Sequence, residues 1–223
     1  MNHPTALGII DAQRGFMPAS EGERLDVPGF GELPIMEGEH IVPYLNTLLG
    51  AFSLRGMDIF TTQDWHPERT AHFALDGNEP NFMTTWPPHC RANTPGAELH
   101  PEIIVPKLAV AFKKGQEELT DGALDTSYTG LNGVNERGQN LEHWLRQRGT
   151  RAVLLGGLAL DYCVKATALD LRTKLGLDVT IAVDATESVA QPTGLKAIDE
   201  LEAAGVHFVT TDEYLRKLEA LAV

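Results

Sequence analysis

Short runs of apolar, largely β-branched residues recur along the chain, and each precedes a longer stretch whose apolar positions have helical spacing. The runs predict six β-strands, at Ala6–Ile10, Asp58–Thr62, Ala109–Phe112, Ala152–Leu155, Val179–Val183 and Val206–Thr210. The longer stretches predict five helices, at Glu39–Phe52, Leu141–Arg148, Tyr162–Leu175, Thr193–Ala204 and Asp212–Ala220. Three of these helices are followed directly by glycine, which suits the left-handed residue that often ends a helix.

Strands that are apolar along most of their length and alternate with helices predict a mostly parallel sheet with helices on both faces. Since crossovers between parallel strands are right-handed, the pattern predicts a three-layer, doubly wound α/β fold. No linker or repeat divides the sequence, so we expect one domain over residues 1–223. Two long segments, Met17–Met36 and Gln63–Pro101, break the rhythm, and loops of this length are usually functional or disordered.

The composition is that of an ordinary globular protein, with 43% hydrophobic and 22% charged residues. The 31 acidic and 18 basic side chains give a formal net charge of -13, which argues against nucleic acid or anionic lipid as a partner. No stretch has the ~18 consecutive apolar residues of a membrane helix, and the N-terminal residues do not resemble a signal peptide. The two cysteines fit a reducing compartment, so we expect a cytoplasmic protein, with a homo-oligomer as one option.

Three polar residues follow predicted strands, where ligands bind in sheets of this kind. Asp11 follows the first strand, Lys114 the third, and Cys163 follows the fourth through a short turn into a helix. A thiol at a helix N-terminus beside an ammonium is expected to have a lowered pKa, and a nearby carboxylate can act as general base and then acid. Taken singly, each residue has a structural alternative: a buried cysteine, a turn aspartate, or a surface lysine with Lys113 facing inward instead.

A second group of candidate ligands lies in the long segment after the second strand: Asp64, His66, His72 and His89. Asp64 and His66 are two residues apart at a strand end, so they point to the same side. Imidazoles and a carboxylate are common ligands of Zn²⁺, Fe²⁺ and Mn²⁺, so the sequence predicts one divalent metal ion. The alternative is a polar, exposed loop. We expect the remaining histidines to be surface or structural residues: His3, His40, His100, His143 and His207.

Several motifs support a more specific hypothesis: IIDAQRGFMP at 9–18, Asp64-x-His66 with His72, TWPPHC at 85–90, GAELHP at 96–101, Lys114-Gly115, and GLALDYCV at 157–164. Together they resemble, over nearly the whole chain, the nicotinamidases of pyrazinamidase type in the isochorismatase-like cysteine hydrolase family. The resemblance implies a catalytic triad of Asp11, Lys114 and Cys163, with the four candidate ligands on or near a metal ion. It implies that nicotinamide is hydrolysed to nicotinate and ammonia through a thioester.

The resemblance also implies a cis peptide bond between Leu158 and Ala159, and an oxyanion hole formed by the backbone N–H groups of Ala159 and Cys163. Aromatic residues are implied as walls around the pyridine ring, namely Phe16 and Trp86 with Tyr128 and Tyr162 as further candidates; their alternative role is core packing.

The sequence departs from the family pattern at two places. Arg14-Gly15 stands where the family commonly has Asn-Asp, and the segment 115–133 is longer than in many members. Both departures concern the mouth of the pocket and so the breadth of substrates. Two other functions stay open, namely hydrolysis of another small amide or of an enol ether such as isochorismate, and a non-catalytic metal-binding or interaction protein.

Overall fold

The computed structural model describes residues 5–117 and 127–220. Its strands are β1 (Thr5–Ile10), β2 (Asp58–Asp64), β3 (Val110–Lys114), β4 (Ala152–Leu158), β5 (Asp178–Glu187) and β6 (His207–Val209). Its α-helices are α1 (Ala19–Leu25), α2 (Val42–Leu54), α3 (Leu141–Arg148), α4 (Lys165–Thr173), α5 (Gln191–Ala203) and α6 (Thr211–Ala220). The six predicted strands and five predicted helices are confirmed, with ends displaced by a few residues. Within the described ranges, no helix has the length and apolar character needed to cross a bilayer.

Helix α1 is the one α-helix that the sequence does not predict. It lies inside the irregular segment Met17–Met36 and has only seven residues. Its composition, ASEGERL, has no apolar stripe of helical period, because most of the helix faces solvent. A short polar helix of this kind is held by its surroundings, since isolated helices of this length are unstable in water.

The described strands form one six-stranded sheet with the order β3-β2-β1-β4-β5-β6, and every neighbouring pair is parallel. The strand order reverses between β1 and β4, which is the switch point where doubly wound sheets bind their ligands. The predicted fold class is therefore confirmed. The residues that follow β1 and β4 are Asp11 and the turn that carries Cys163, so both flank this switch point.

Successive side chains of the strands pack alternately into two separate hydrophobic cores, one on each face of the sheet. In β1, Leu7 and Ile9 face the core formed with α2 and α6, whereas Ala6 and Ile10 face the core formed with α3, α4 and α5. The period of two in a strand produces this division, because successive side chains point to opposite faces. Phe52 of α2 is fully buried, and burying a side chain of this size contributes roughly 1.5–3 kcal/mol to stability.

The end of β4 packs against the end of β1 more closely than a side chain would allow. Gly157 has a φ of +118°, and a Cβ atom at this position would lie 2.0 Å from the carbonyl oxygen of Ile10. The pairing of β4 with β5 also shifts in register between Leu155 and Gly157. Glycine is required here because it alone combines this backbone conformation with the close approach. The chain that leaves β4 is thereby directed toward Asp11.

Candidate active site

Asp11, Lys114 and Cys163 meet at the carboxyl edge of the sheet, and all three are buried. Asp11 Oδ2 lies 2.8 Å from Lys114 Nζ, and Cys163 Sγ lies 3.4 Å from the same nitrogen. Asp11 has a φ of +44°, a left-handed conformation that aspartate tolerates better than most residues. Thr62, at the end of β2, donates its hydroxyl to Asp11 Oδ1 at 2.7 Å. The lysine ammonium thus lies between a carboxylate and a thiol.

Lys114 contacts three oxygen atoms besides the thiol. Its Nζ donates to Asp64 Oδ1 at 2.5 Å and to the carbonyl oxygen of Ser127 at 2.8 Å, in addition to the Asp11 contact. Burial alone would lower the pKa of Lys114, but the two carboxylates outweigh burial and raise it well above its usual value. Lys113 points the other way and places its ammonium 3.3 Å from the centre of the Trp65 ring. The lysine that faces inward is therefore Lys114.

Burial raises the pKa of the Cys163 thiol well above its ordinary value, although Lys114 acts in the opposite direction. The expectation that the pKa of the Cys163 thiol is lowered is thus wrong, because the negative charges of Asp11 and Asp64 add to the effect of burial. Burial also raises the pKa of Asp11, and Lys114 offsets part of that rise. Among the described residues, Asp11 Oδ2 accepts no well-aligned hydrogen bond despite its short distance to Lys114. A lone pair therefore remains for the thiol proton.

Cys163 lies in a π-helical turn, Leu160–Val164, that continues into α4. The peptide bond between Leu158 and Ala159 is cis, as the family resemblance implies. The carbonyl oxygen of Ala159 accepts hydrogen bonds from the backbone N–H groups of Tyr162 and Val164, each at 3.1 Å. These bonds close the turn around the cysteine. The assignment of the Ala159 and Cys163 amides to an oxyanion hole stays a prediction.

The sequence does not single out Asp161, although its buried carboxylate anchors the same turn. Asp161 Oδ1 accepts from the backbone N–H of Val189 at 3.0 Å, and Oδ2 accepts from the hydroxyl of Thr193 at 2.5 Å. Thr193 lies in the first turn of α5 and Val189 just before that helix, where a carboxylate is favourably placed. The nearest signal in the sequence is the segment SVAQPT at 188–193, which leads into α5, but nothing in the sequence pairs it with Asp161.

His66, His72 and His89 form a buried cluster in which one ligand atom from each ring lies within 4.8 Å of the others. The Nδ1 atom of His66 lies 3.1 Å from the carbonyl oxygen of Gly115, and that of His89 lies 2.7 Å from the carbonyl oxygen of Pro87. Since a carbonyl only accepts, each Nδ1 carries the proton and each Nε2 presents a lone pair. Burial lowers the pKa of His89 to about 3, and the nearby His66 adds to this effect. His89 is therefore neutral at physiological pH.

The cluster has the properties of a metal site. Within the ranges that the structure describes, His66 Nε2 is a buried nitrogen without a hydrogen-bond partner. Such a group is costly unless something fills its coordination, and neutral imidazoles oriented by carbonyl groups are the usual arrangement around a metal. Asp64 Oδ2 lies 3.7 Å from His66 Nε2, while its Oδ1 binds Lys114. Although burial acts against it, Lys114 and His66 hold the pKa of Asp64 far below its usual value. Asp64 therefore joins the triad to the histidines.

Gly115 makes the histidine arrangement possible. It has a φ of +67°, and a Cβ atom here would lie 2.7 Å from Cε1 and 2.8 Å from Nδ1 of His66. Its carbonyl oxygen accepts the His66 Nδ1 proton. The Lys114-Gly115 pair thus serves both halves of the site, because the lysine binds the carboxylates and the glycine orients the histidine.

A cavity of about 470 Å³ opens beside Cys163, and the four predicted aromatic wall residues all line it: Phe16, Trp86, Tyr128 and Tyr162. Trp86 Nε1 donates to Tyr128 Oη at 2.9 Å, and the Trp86 and Tyr162 rings are perpendicular with centroids 4.9 Å apart. Phe16 lies against His89, with ring centroids 5.3 Å apart. Ala159, Asp64, His72 and His89 also border this cavity. The thiol, two of the three histidines, His72 and His89, and the aromatic rings therefore share one chamber.

Several further cavity residues carry no sequence signal: Leu33, Pro34, Ile35, Ser127 and Val189. The first three lie in the irregular segment after α1, and the last lies between β5 and α5. Because four of them are ordinary apolar residues in loops and Ser127 is a common small polar residue, only the fold shows that they face the cavity. The histidines outside the cluster behave as predicted where they are described. His100 is buried against Glu21, with His100 Nε2 3.2 Å from Glu21 Oε1, and His40, His143 and His207 are exposed. His3 lies outside the described residues.

Comparison with known proteins agrees with this geometry. Residues 5–213 match the isochorismatase domain family. The nicotinamidase/pyrazinamidase of Mycobacterium tuberculosis is 35% identical over 92% of this chain and 97% of its own length. The pyrazinamidase of Pyrococcus horikoshii, solved in complex with zinc, is 34% identical and superposes with a TM-score of 0.74 over 93% of this chain and 99% of that protein. PnC1 from L. infantum, solved in complex with nicotinate, is 29% identical with a TM-score of 0.74, over 95% of each chain. The chain belongs to the isochorismatase family, as its motifs predict.

Proposed function

We propose that this protein is a nicotinamidase, which hydrolyses nicotinamide to nicotinate and ammonia. The observation that carries the proposal is the shared chamber, in which Cys163 faces aromatic walls beside the histidine cluster. The similarity to a nicotinamidase/pyrazinamidase over nearly the full length of both chains supports the same activity. The nicotinate complex of a relative supports a pyridine carboxamide as substrate.

In the first half of the reaction, Asp11 Oδ2 accepts the thiol proton of Cys163 while Sγ bonds to the carboxamide carbon. The oxygen of the tetrahedral intermediate is stabilised by the backbone N–H groups of Ala159 and Cys163, and one such donor is worth ~3 kcal/mol. Asp11 then returns the proton to the leaving nitrogen as the carbon–nitrogen bond breaks, and ammonia departs. The raised pKa of Asp11 suits this exchange, because a base must also give its proton back.

In the second half, Asp11 takes a proton from water while the water oxygen adds to the thioester carbon. The carbon–sulfur bond breaks, the proton on Asp11 returns to sulfur, and nicotinic acid is released, which loses its own proton to solvent to give nicotinate. Lys114 stays protonated throughout, since two carboxylates and the Ser127 carbonyl hold its ammonium. Its positive charge stabilises whichever of the Asp11 carboxylate and the Cys163 thiolate is charged at each stage.

We further propose that His66, His72, His89 and Asp64 hold a divalent metal ion, zinc, iron or manganese, on one side of the chamber. The zinc complex of the Pyrococcus horikoshii relative supports zinc. When bound, the metal would supply a Lewis acid for the ring nitrogen, directly or through water, and so orient the carboxamide toward Cys163. Phe16, Trp86, Tyr128 and Tyr162 would confine the flat ring by apolar contact.

The proposal is tested by ammonia release from nicotinamide and from benzamide, which has the same shape but no ring nitrogen. We expect kcat/KM to be at least about 100-fold lower for benzamide, a loss of about 3 kcal/mol in transition-state stabilisation. Incubation with a chelator should abolish the preference, and added Zn²⁺ should restore it. Equal rates on the two amides, or faster turnover of isochorismate, would exclude the assignment and leave a cysteine hydrolase of other specificity.

We also propose that residues 1–223 act as a single domain, because the family match covers residues 5–213. A reducing compartment such as the cytoplasm would suit the chemistry, since Cys163 must stay a free thiol.

A further inference from the structure

The side chain of Gln13 is fully buried two residues beyond Asp11, and no step of the proposed reaction uses it. The main-chain pairing of β1 with β2 runs from Ala6 to Ile9, and one further bond joins Asp11 N–H to the carbonyl of Thr62. Beyond this point the chain turns away into a short 3₁₀ helix at Arg14–Phe16. The backbone of β1 therefore cannot support the last residues of β2.

Beyond the last backbone hydrogen bond between β1 and β2, the side-chain amide of Gln13 binds the backbone of β2 instead. Its Oε1 accepts from the backbone N–H of Asp64 at 2.8 Å, and its Nε2 donates to the carbonyl oxygen of Asp64 at 2.8 Å. The same Nε2 donates to the carbonyl oxygen of Ala97, also at 2.8 Å. Both amide hydrogens are used, so the orientation of the group is determined: a flipped amide would place its oxygen against two carbonyl oxygens. The side chain thus clamps both backbone groups of Asp64.

Asp64 is the residue whose position matters most to both halves of the site. Its Oδ1 binds Lys114 Nζ, and its Oδ2 points toward His66 Nε2. A rotation of the Asp64 backbone would displace one carboxylate oxygen from the ammonium or the other from the histidine cluster. We infer that Gln13 is a positioning residue that holds the Asp64 carboxylate between Lys114 and the metal ion. The inference rests on the proposed function for its metal and its activity measurements.

Gln63 provides a matched control. It is buried next to Asp64 in β2, and its Nε2 donates at 2.8 Å to the same Ala97 carbonyl oxygen that Gln13 contacts. Gln13 and Gln63 therefore differ chiefly in that Gln13 binds the backbone of Asp64 on both sides. Methionine has a similar volume but cannot replace either amide, so Gln13→Met and Gln63→Met both remove a buried hydrogen-bonding group.

The experiment measures the Zn²⁺ affinity of the metal-stripped full chain by competition with a chromophoric chelator, together with the denaturation midpoint, kcat and KM. Both methionine variants should lose stability. We expect Gln13→Met to weaken Zn²⁺ binding about 10- to 100-fold, the usual effect of losing a group that orients a ligand, and to lower kcat more than it changes KM. Gln63→Met should keep Zn²⁺ affinity and kcat within about twofold of the unmodified protein.

Gln13→Asn keeps the amide but shortens its reach, so its Zn²⁺ affinity should fall between those of the unmodified protein and Gln13→Met. This variant answers the question if Gln13→Met does not fold. Unchanged Zn²⁺ affinity in both Gln13 variants, or an equal loss in Gln63→Met, would show that Gln13 only stabilises the fold. A chain that binds no Zn²⁺ would also overturn the inference. Failure of the proposed function is distinguishable, because Zn²⁺ binding can follow the expected order while nicotinamide releases no ammonia.

Discussion

The triad and the histidine cluster lie side by side but are built in different ways. Asp11, Lys114 and the turn of Cys163 come directly from the ends of β1, β3 and β4, and the Lys114 ammonium forms ion pairs with two carboxylates of the protein itself. The histidines come from the region after β2 and from irregular structure, and the Nε2 atom of His66 is buried without a partner among the described residues. The first centre forms its ion pairs within the protein, whereas the second contains a buried nitrogen that a bound metal ion would satisfy.

This difference indicates what each half contributes to stability. The buried ion pairs of Lys114 help hold three strand ends together, so their loss should damage both fold and chemistry. In the histidine cluster, the buried Nε2 atom of His66 has no hydrogen-bond partner among the described residues, so the loss of this imidazole should damage metal binding more than the fold. The following variants test that division.

Replacement of the nucleophile should have the largest effect on turnover. Cys163→Ala should lower kcat at least about 10⁴-fold with nicotinamide, because no other group can form the thioester. Metal content should stay near normal because Sγ does not belong to the histidine cluster, and the unfolding transition should shift only slightly because the substitution removes a single sulfur atom from the core. Ammonia release, elemental analysis and circular dichroism check these outcomes. Cys90→Ala is the control and should retain turnover; substantial activity in Cys163→Ala would remove this residue from the mechanism.

Removal of the ammonium should damage stability and turnover together. Lys114→Met leaves Asp11 and Asp64 buried without a counter-charge, so the free energy of unfolding should fall by about 3–5 kcal/mol. Turnover should fall about 10²- to 10³-fold as charge stabilisation is lost. Urea denaturation and steady-state kinetics supply the measurements. Lys113→Met, which loses only the contact with the Trp65 ring, should cost about 0.5–1 kcal/mol and leave turnover intact. Equal losses in both variants would contradict the assignment.

Loss of one imidazole should affect the metal more than the fold. His66→Ala should weaken Zn²⁺ binding by more than about 100-fold and lower kcat/KM with nicotinamide. Its denaturation midpoint, measured without metal, should fall because the Nδ1 bond to the Gly115 carbonyl and a buried ring are lost, but by less than in Lys114→Met, because no buried charge is left unpaired. His100→Gln is the control, since both ring nitrogens of His100 are engaged by Glu21 and Glu102. Full zinc occupancy in His66→Ala would refute the site.

The pH profile should reflect the burial of Asp11. Asp11 must be ionised to accept the thiol proton, so kcat/KM should fall about tenfold per pH unit below its pKa. Because burial raises this pKa above the ordinary value of 3.8, the acidic limb should lie above pH 3.8. Stopped-time ammonia assays across the acidic range measure the limb, with circular dichroism at each pH to show that the protein remains folded. A limb at or below pH 3.8 would mean that another group limits the rate.

The smallest effect is expected at the aromatic wall. Tyr128→Phe removes the oxygen that accepts the Trp86 Nε1 hydrogen, so Trp86 should be held less firmly and KM for nicotinamide should rise about 3- to 10-fold. The metal and the triad should be unaffected, so kcat should change little. Tyr44→Phe, at a position 42% exposed on α2, serves as the control. A large fall in kcat for Tyr128→Phe would indicate that its hydroxyl group takes part in the chemistry.

Much of the site was predictable because apolar runs in a sequence indicate where strands end. Asp11 directly follows an apolar run and Lys114 follows another through Lys113, and the parallel arrangement of those runs brings their ends to one edge. Gln13, Asp161 and Ser127 were not predictable in the same way. Their roles depend on hydrogen bonds to backbone groups distant in the chain, such as Asp64 for Gln13 and Val189 for Asp161, and side-chain type alone does not reveal such bonds.

The sequence by itself predicted the strand and helix order, the fold class and the family, and it offered Asp11, Cys163 and the histidines as candidate site residues, because periodicity and motif spacing are local properties of the chain. Only the tertiary structure decided that Lys114 rather than Lys113 faces inward, that the Cys163 thiol pKa is raised rather than lowered, and that Gln13 clamps Asp64. These outcomes depend on burial and on distances between elements far apart in sequence. Such quantities arise only when the strand ends and loops have packed around one another.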